Sequence, residues 1–311
     1  SGLAESGLAV ADVTARAVDP LPGTFAGIVV RLDGPEPGDR TPPDDPAVNP
    51  LSAGTPNYNF YTLEVVHRIG YDSFTADNGV LIAKNKDSLR GRNGGPNEFN
   101  SYIWVIDAHP EDINMVDYIK PNGEKVMRTI ADYRQLNDAL FHAGLDSGSQ
   151  YEWEDTPNRL HFYVINLKKD KDGILSYTLA VRSLDGAGPQ VRGAALIAPA
   201  GQQVKEPHTA VAFTLNNTGK AAGTADPVAG PAATGSHLNY DVYRLSVSVE
   251  GRGWTARLLN GLAAVEFGAS QKVVVYVSRE DGGDRSATVT LRATSESDPS
   301  KTATATVKVT R

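Results

Sequence analysis

Apolar and polar residues alternate across the last third of the chain, and this pattern limits the folds that the chain can adopt. It occurs in short segments of residues 201–311, at positions 211–215, 245–249, 273–277, 289–293 and 303–309. Successive side chains of a strand point to opposite faces of a sheet, so this pattern predicts strands with one buried face and one solvated face. Turn sequences such as Glu280–Gly283 separate the segments. We therefore predict an immunoglobulin-like β-sandwich without a disulfide, with Trp254 in its core.

The preceding residues are less regular and predict a separate β-rich domain. We place this domain at residues 1–198 and the sandwich at 201–311, because Ala198–Gly201 is a small, turn-prone stretch. One helix is predicted at Ile130–Ala143, where apolar residues recur at helical spacing, Thr129 can cap the start and Gly144 can end it. The predicted fold is thus mainly β, with one clear helix in the first domain. Apolar runs of strand length occur at 10–18, 24–32, 58–68, 79–85, 102–108, 160–167 and 175–182.

Two long segments lack repeated apolar spacing and are predicted to be loops. Residues 33–57 contain seven prolines together with several Gly and Asp residues. Residues 218–236 are rich in Gly, Ala and Pro and interrupt the predicted sandwich. Both compositions are typical of surface segments that carry no regular structure.

Composition argues against several classes of function. The net charge of -7 disfavours a general binder of nucleic acid or anionic membranes. The absence of cysteine excludes disulfides, a thiolate nucleophile and a cysteine-ligated zinc site. No apolar run approaches the roughly 18–20 residues that span a bilayer. Abundant Gly, Ala, Thr and Pro favour a secreted protein, although the absence of cysteine fits a cytosolic one as well. We interpret the start at Ser1 as that of a mature or trimmed fragment.

No local catalytic signature is present. The sequence has no His-Glu-x-x-His, no Gly-x-Ser-x-Gly and no phosphate-binding glycine loop, and none of its six histidines has another within four residues. His67 lies close in sequence to Glu64 and Asp72, which suggests a general base. Strand alternation, however, places Glu64 and His67 on opposite faces, and this favours a structural histidine. We therefore assign no catalytic residue.

Two groups of carboxylates are candidate calcium ligands. Asp170 and Asp172 precede Gly173 and resemble the start of a calcium loop, since alternate carboxylates can converge on one ion. The rest of that pattern is missing, and the same residues predict an ordinary Asp-Gly hairpin. Asp72 and Asp77 have the same two interpretations. We favour turn chemistry in both places and retain calcium as the alternative.

The segment YTLEVVHRIGYDSFTADNGVLIAKNKD, residues 61–87, resembles secreted bacterial metallopeptidases related to immune inhibitor A. In that family the matching strand follows the catalytic helix, so the resemblance implies a post-catalytic region over about residues 8–190. The family's zinc is held by a His-Glu-x-x-His helix, which this chain lacks. Zinc is therefore expected only in an upstream catalytic domain. The matching residues are Tyr61, Leu63, Glu64, Arg68, Gly70, Tyr71, Asp72 and Gly79–Ile82.

The phrases AFTLNNTG, DVYRLSVSVEGRGWTARL and ATVTLRATSESDPSKTATATVKV resemble another group of modules. These are the CARDB-like or alpha-galactosidase-associated β-sandwiches that are appended to secreted bacterial hydrolases. Together the two resemblances imply the non-catalytic C-terminal portion of a secreted metallopeptidase-like protein. Its partner would be an upstream peptidase domain of the same chain, and the sandwich would serve as a spacer or adhesion module. The alternatives are a stand-alone binder of extracellular glycan or cell-wall polymer, and an enzyme with an unrecognised site.

Overall fold

The computed structural model describes residues 3, 7–32, 60–86, 102–109, 115–127, 139–205, 207–222 and 236–311. Within these ranges the prediction of a mainly β fold is confirmed. The strands are accompanied by two short 3-10 helices at Gly70–Asp72 and Ser236–Leu238. No helix in these ranges is both long enough and apolar enough to cross a membrane.

The N-terminal region, defined as the described residues up to Ser183, contains two four-stranded antiparallel sheets. Sheet I has the order β1-β10-β9-β8 and sheet II the order β2-β3-β4-β5, while β6 and β7 form a separate hairpin. The strands are β1 (Leu8–Thr14), β2 (Ile28–Arg31), β3 (Phe60–Val66), β4 (Gly79–Lys86), β5 (Tyr102–Val105), β6 (Val116–Ile119), β7 (Lys125–Met127), β8 (Glu152–Asp155), β9 (Leu160–Lys169) and β10 (Leu175–Ser183).

The C-terminal region, defined as Ala194 onward, contains a four-stranded and a five-stranded sheet. Sheet III has the order β11-β13-β17-β15 and sheet IV the order β12-β19-β18-β14-β16. All pairs are antiparallel except β12 with β19. The strands are β11 (Ala194–Ile197), β12 (Gln202–Gln203), β13 (Thr209–Asn217), β14 (Tyr240–Glu250), β15 (Trp254–Leu258), β16 (Leu262–Glu266), β17 (Ser270–Arg279), β18 (Ser286–Ser295) and β19 (Thr302–Thr310).

Each region has its own apolar core. Sheets I and II contribute fully buried side chains to the first, including Tyr61, Ile82 and Phe162. The ring of Phe162 lies 5.1 Å from that of Tyr61 and 5.2 Å from that of Trp153. The second core lies between sheets III and IV, where the alternating residues of their strands point inward. Trp254 lies in that core, as predicted, and its Nε1 donates to the carbonyl of Asp284 over 2.9 Å.

Sheet I is covered on both faces. Phe162 and Val164 of β9 point into the first core, whereas Tyr163 and Ile165 belong to a third apolar cluster. That third cluster also contains Leu8, Val10 and Ala180 of sheet I, and Val242 and Leu262 of sheet IV. The two regions therefore share sheet I as a common layer, and their contact is apolar at its centre.

The helix predicted at Ile130–Ala143 is wrong in its described part. Residues 128–138 lie outside the described residues, and no helix of the described chain is longer than a single 3-10 turn. At 139–143 the backbone pairs instead with β4, because the amide and carbonyl of Phe141 bond to those of Val80 over 2.9 Å each. Phe141 is fully buried between the sheets. Its apolar side chain is buried because it packs between two sheets, and not because it lies on the buried face of a helix.

Other predictions can be located on the strands. The five alternating segments of residues 201–311 lie within β13, β14, β17, β18 and β19. β11, which precedes the division predicted at Ala198–Gly201, pairs with β13 of the C-terminal region. The predicted loop at 33–57 lies outside the described residues, as does most of the loop at 218–236.

Candidate functional site

A cluster of six polar side chains lies at the contact between the two regions. We call it the junction cluster and define it as Glu152, His161, Tyr163, Arg182, Arg244 and Glu296. Arg244 of β14 is its centre. Its guanidinium donates to both carboxylate oxygens of Glu152 over 3.0 and 2.7 Å, and to Glu296 over 2.7 and 3.2 Å. Glu152 belongs to β8 of the N-terminal region and Arg244 to β14 of the C-terminal region. Their bidentate ion pair therefore joins the two regions.

The other members of the junction cluster lie on sheet I. His161 and Tyr163 share the face of β9 that meets the C-terminal region, and their rings stack at 4.1 Å. His161 Nε2 lies 3.0 Å from Glu152, and the Tyr163 hydroxyl donates to Glu296 over 2.9 Å. Arg182 Nε donates to the same hydroxyl over 3.0 Å. Each side chain of the junction cluster thus has at least one polar partner in the cluster, as buried polar side chains require.

This environment changes the acidity of two members. Burial raises the pKa of Glu152, but hydrogen bonds from His161 and Arg244 outweigh burial and lower it from an ordinary 4.5 to about 2. Burial raises the pKa of Tyr163 far above its ordinary value. Glu152 is therefore ionised and Tyr163 neutral across the physiological range. Glu152 thus supplies a fixed charge and Tyr163 a neutral hydroxyl. Neither side chain is suited to exchange protons near neutral pH.

A buried ion pair fixes residues 184–193, which connect the two regions and are called the connecting segment below. The Arg192 side chain lies 3.4 Å from Asp241, and both are almost completely buried. Arg192 also donates to the carbonyls of Tyr240 and Ala187 over 2.9 and 2.7 Å. Burial raises the pKa of Asp241 and lowers that of Arg192, and their mutual attraction opposes both shifts. The connecting segment is thereby tied to β14.

Glu64 and Asp72, which looked catalytic by residue type, are partners of one arginine. Arg16 donates from Nε and one terminal nitrogen to the two oxygens of Asp72, each over 2.9 Å, and from the other to Glu64 over 2.9 Å. Asp72 is 2% exposed. The hydrogen bond to Asp72 contributes most to raising the pKa of Arg16. The group secures the Gly70–Asp72 turn against β3.

His67 lies just beyond the end of β3 and apart from that arginine. Burial, and secondarily the charge of Lys169, lowers the pKa of His67. Its Nδ1 has no hydrogen-bond partner within the described chain. Neither Glu64 nor Asp72 is available to orient it, since both bind Arg16. The interpretation of His67 as a structural histidine stays a prediction.

The four candidate calcium ligands have other contacts. Both oxygens of Asp72 accept from Arg16, and Asp77 contacts the amide of Asn78 and the ring of His142. Asp170 Oδ1 accepts the amides of Asp172 and Ile174 over 2.9 and 2.8 Å, which forms the turn between β9 and β10. Asp172 pairs with Lys171 over 2.7 Å. Among the residues that the structure describes, no three His, Cys, Asp or Glu side chains form a metal-binding group.

Sequence reasoning missed both Arg192 and the junction cluster. One signal was available: β9 reads as a nearly continuous apolar run, whereas an antiparallel strand with a solvated face alternates. Partners such as Glu152 and Arg244, far apart in the chain, leave no local pattern. The Tyr163 hydroxyl also lies 3.0 Å from His161 Nδ1. The arrangement can hold the two regions together.

Solved structures resemble the chain only weakly. PapD-like domain 7 of human CEP192 is 10% identical, with a TM-score of 0.22, and the match covers 38% of this chain and 83% of that one. The secreted serine protease VesC from Vibrio cholerae is 12% identical, with a TM-score of 0.25, over 100% of this chain and 70% of that one. Scores this low carry no argument about fold or function.

A curated relative is much closer in sequence. A protein of Arthroderma benhamiae named "Putative secreted metallopeptidase" is 44% identical over 316 residues, covering 99% of this chain and 43% of that protein. The chain therefore spans less than half the length of this relative. The resemblance to metallopeptidases is thus supported.

Family models match the chain in two consecutive parts. Residues 193–311 match a model described as a peptidase M6-like domain. Residues 1–184 match a model described as a middle domain. The peptidase M6-like model covers the C-terminal region, and the middle-domain model spans more than half of the chain. The chain therefore belongs to the family defined by this middle domain, with a peptidase M6-like domain following it.

Proposed function

We propose that this chain is a non-catalytic scaffold and spacer of a secreted metallopeptidase-like protein. The observation that carries the proposal is the shared sheet I, whose two faces are buried by different regions. A pair of domains held by a common layer and by the Arg244 ion pairs keeps a fixed separation between whatever lies at its two ends. Such a unit suits a spacer, whose role is to hold neighbouring domains at a fixed distance and not to catalyse a reaction.

An upstream peptidase domain of the same protein is the proposed partner. The relative named as a metallopeptidase is more than twice as long as the part matched here, which leaves room for such a domain. Zinc, if the protein uses it, would be held there. The relative's name also supports a secreted location and favours this proposal over a stand-alone glycan binder. A bacterial source, an immunoglobulin-like sandwich and a CARDB-like module stay predictions.

The boundary between the domains is also a proposal. The pairing of β11 with β13 supports a division before Ala194, and the family matches end at 184 and resume at 193. Arg192 would then belong to the connecting segment that its buried ion pair secures.

Two measurements test this function. The isolated chain is expected to show no zinc-dependent hydrolysis of casein. Activity that a chelator removes and zinc restores would overturn the non-catalytic assignment. For the spacer role, Arg244→Glu should repel Glu152 and Glu296 and accelerate proteolytic cleavage of residues 184–193, whereas Arg257→Glu on an exposed strand surface should not. Equal cleavage of both variants and wild type would contradict the role of the junction cluster.

Calcium binding at Asp170 and Asp172, or at Asp72 and Asp77, stays a separate proposal. A bound ion should raise the melting temperature as calcium is added. Asp172→Ala should abolish the rise for an ion at Asp170 and Asp172, and Asp77→Ala should abolish it for an ion at Asp72 and Asp77. An unchanged melting temperature in the wild-type chain would reject calcium at all four residues.

A further inference from the structure

A shallow cleft of about 460 Å³ opens where the outer surface of sheet IV meets the junction cluster. The residues that define its chemistry are Arg182, Arg244, Ser246, Arg292, Thr294 and Glu296. Arg182 comes from sheet I and the others from sheet IV or the turn after β18, so both regions contribute. The lining carries three arginines and three hydroxyl side chains beside the apolar Leu245 and Pro299, and it holds no aromatic side chain.

Strand register explains why these groups share one surface. Ser246 lies opposite Arg292, and Arg244 lies opposite Thr294, in the antiparallel pair of β14 and β18. Their neighbour Leu291 is fully buried in the core. Because side chains alternate along a strand, Arg292 and Thr294 must point outward where Leu291 points inward.

The arginines of the cleft are not equivalent. All three guanidinium nitrogens of Arg244 already bond to Glu152 and Glu296. Arg182 uses Nε for the Tyr163 hydroxyl, and no contact within the described chain engages its two terminal nitrogens. Arg292 is exposed and has no ion pair among the described residues. Two guanidinium groups are thus available beside a third that is neutralised.

We infer that this cleft binds the carboxylate groups of a short acidic peptide segment. The planar guanidinium fork matches a carboxylate in two parallel hydrogen bonds, and Ser246 and Thr294 add hydroxyl donors beside it. The local positive charge stands out on a chain whose net charge is -7. A long polyanion would meet repulsion beyond the cleft, whereas a short segment with a few carboxylates would not. This inference does not depend on the proposed spacer function.

The test uses the whole chain and a capped tetraglutamate peptide, with capped tetraglutamine as the neutral probe. Titration calorimetry or amide chemical-shift mapping should detect binding of tetraglutamate, weakening as salt is added. Arg292→Gln should weaken that binding about fivefold, the scale of one charge-assisted contact at a partly exposed site. Arg257→Gln is the matched control, because Arg257 is an exposed strand arginine on sheet III. Arg182→Lys keeps the charge and removes the fork, and it should weaken binding as well.

Four results would overturn the inference. The first is no binding of tetraglutamate at low salt, and the second is equal binding of tetraglutamine. The third is equal weakening by the Arg292 and Arg257 variants. Tight binding of a sulfated polysaccharide without binding of tetraglutamate would also reject it and point to an extended anionic ligand. Thermal melting of each variant confirms that it is folded.

Discussion

Sheet I and sheet IV differ in what covers their faces. In β9 the six residues from Leu160 to Ile165 are buried in succession, and in β10 the seven from Leu175 to Val181 are. In β18, by contrast, buried and accessible residues alternate from end to end. All three are antiparallel strands, so direction of pairing does not explain the difference. The number of layers packed against the sheet does.

The difference gives continuous apolar runs a specific meaning in antiparallel proteins. A strand with one solvated face alternates, whereas one between two layers cannot. The run LHFYVINL therefore indicates a partner on each side of its sheet. Here the second partner is the following domain, through Val242 and Leu262.

The connecting segment should tolerate change least. Arg192→Met leaves the carboxylate of Asp241 fully buried without its cation, which should lower the free energy of unfolding by about 3–5 kcal/mol. Arg257→Met, at an exposed arginine, should change it by less than about 0.5 kcal/mol. Urea denaturation of both variants measures the contrast. A loss at Arg192 as small as that at Arg257 would mean that the connection is not held by this pair.

Adjacent residues of β9 should be equally sensitive, although they point in opposite directions. Phe162→Ala empties the first core and Tyr163→Ala empties the contact between regions. Each should cost about 3–5 kcal/mol, since each removes a fully buried aromatic ring. Chemical denaturation followed by fluorescence and circular dichroism reports both. A cost below about 1 kcal/mol at Tyr163 would show that the second face of sheet I is not tightly covered.

Acid should weaken the contact between regions through Glu152. Its pKa falls from an ordinary 4.5 to about 2 in the folded chain, so its stabilisation is complete above about pH 4.5 and is lost as the pH falls toward 2. Because the side chain is partly exposed, we expect about 1–2 kcal/mol at neutral pH after solvent screening. Glu152→Gln should be less stable than wild type at pH 7, and the gap should close by pH 2–3.

Glu250→Gln is the control for this pH dependence, since Glu250 is exposed at the end of β14. Its stability should follow that of wild type at every pH. Denaturation curves across the range measure both variants. A gap for Glu152→Gln that widens in acid would reverse the assigned sign.

The outer face of sheet IV should show the smallest effect. Arg292→Ala should change stability by less than about 0.5 kcal/mol, whereas its neighbour Leu291→Ala should cost about 2–5 kcal/mol. Neighbouring residues of β18 should thus differ widely in their effect on stability, whereas neighbouring residues of β9 should not. Similar large losses at both positions would indicate that a further layer covers sheet IV.

Local patterns predicted the parts of the fold whose causes are local. Alternation located β13, β14, β17, β18 and β19, because each has one face in a core. The Asp-Gly hairpin between β9 and β10 was also predicted from its own residues, and Gly173 adopts the positive φ of 86° that such a turn requires. Short strands such as β12 carry too few residues for any period to appear.

Contacts between distant residues explain what the sequence did not disclose. The helix predicted at Ile130–Ala143 relied on apolar spacing near Phe141, but pairing with Val80 set the backbone there. Arg16 lies 56 residues from Asp72, and Arg244 lies 92 from Glu152. Such pairs exist only once the sheets have assembled. The junction cluster therefore could not be predicted from the sequence. The continuous apolar run of β9 was the one local signal that a second layer packs there.

The common layer also bears on how this chain could evolve. Domains that recombine freely among proteins carry a polar surface of their own on every side. Neither half of this molecule does, because Tyr163, Ile165, Val242 and Leu262 would all face water after separation. A transfer of one half alone would create an adhesive, aggregation-prone surface. The two halves should be inherited and exchanged as a pair, with the cut falling outside them.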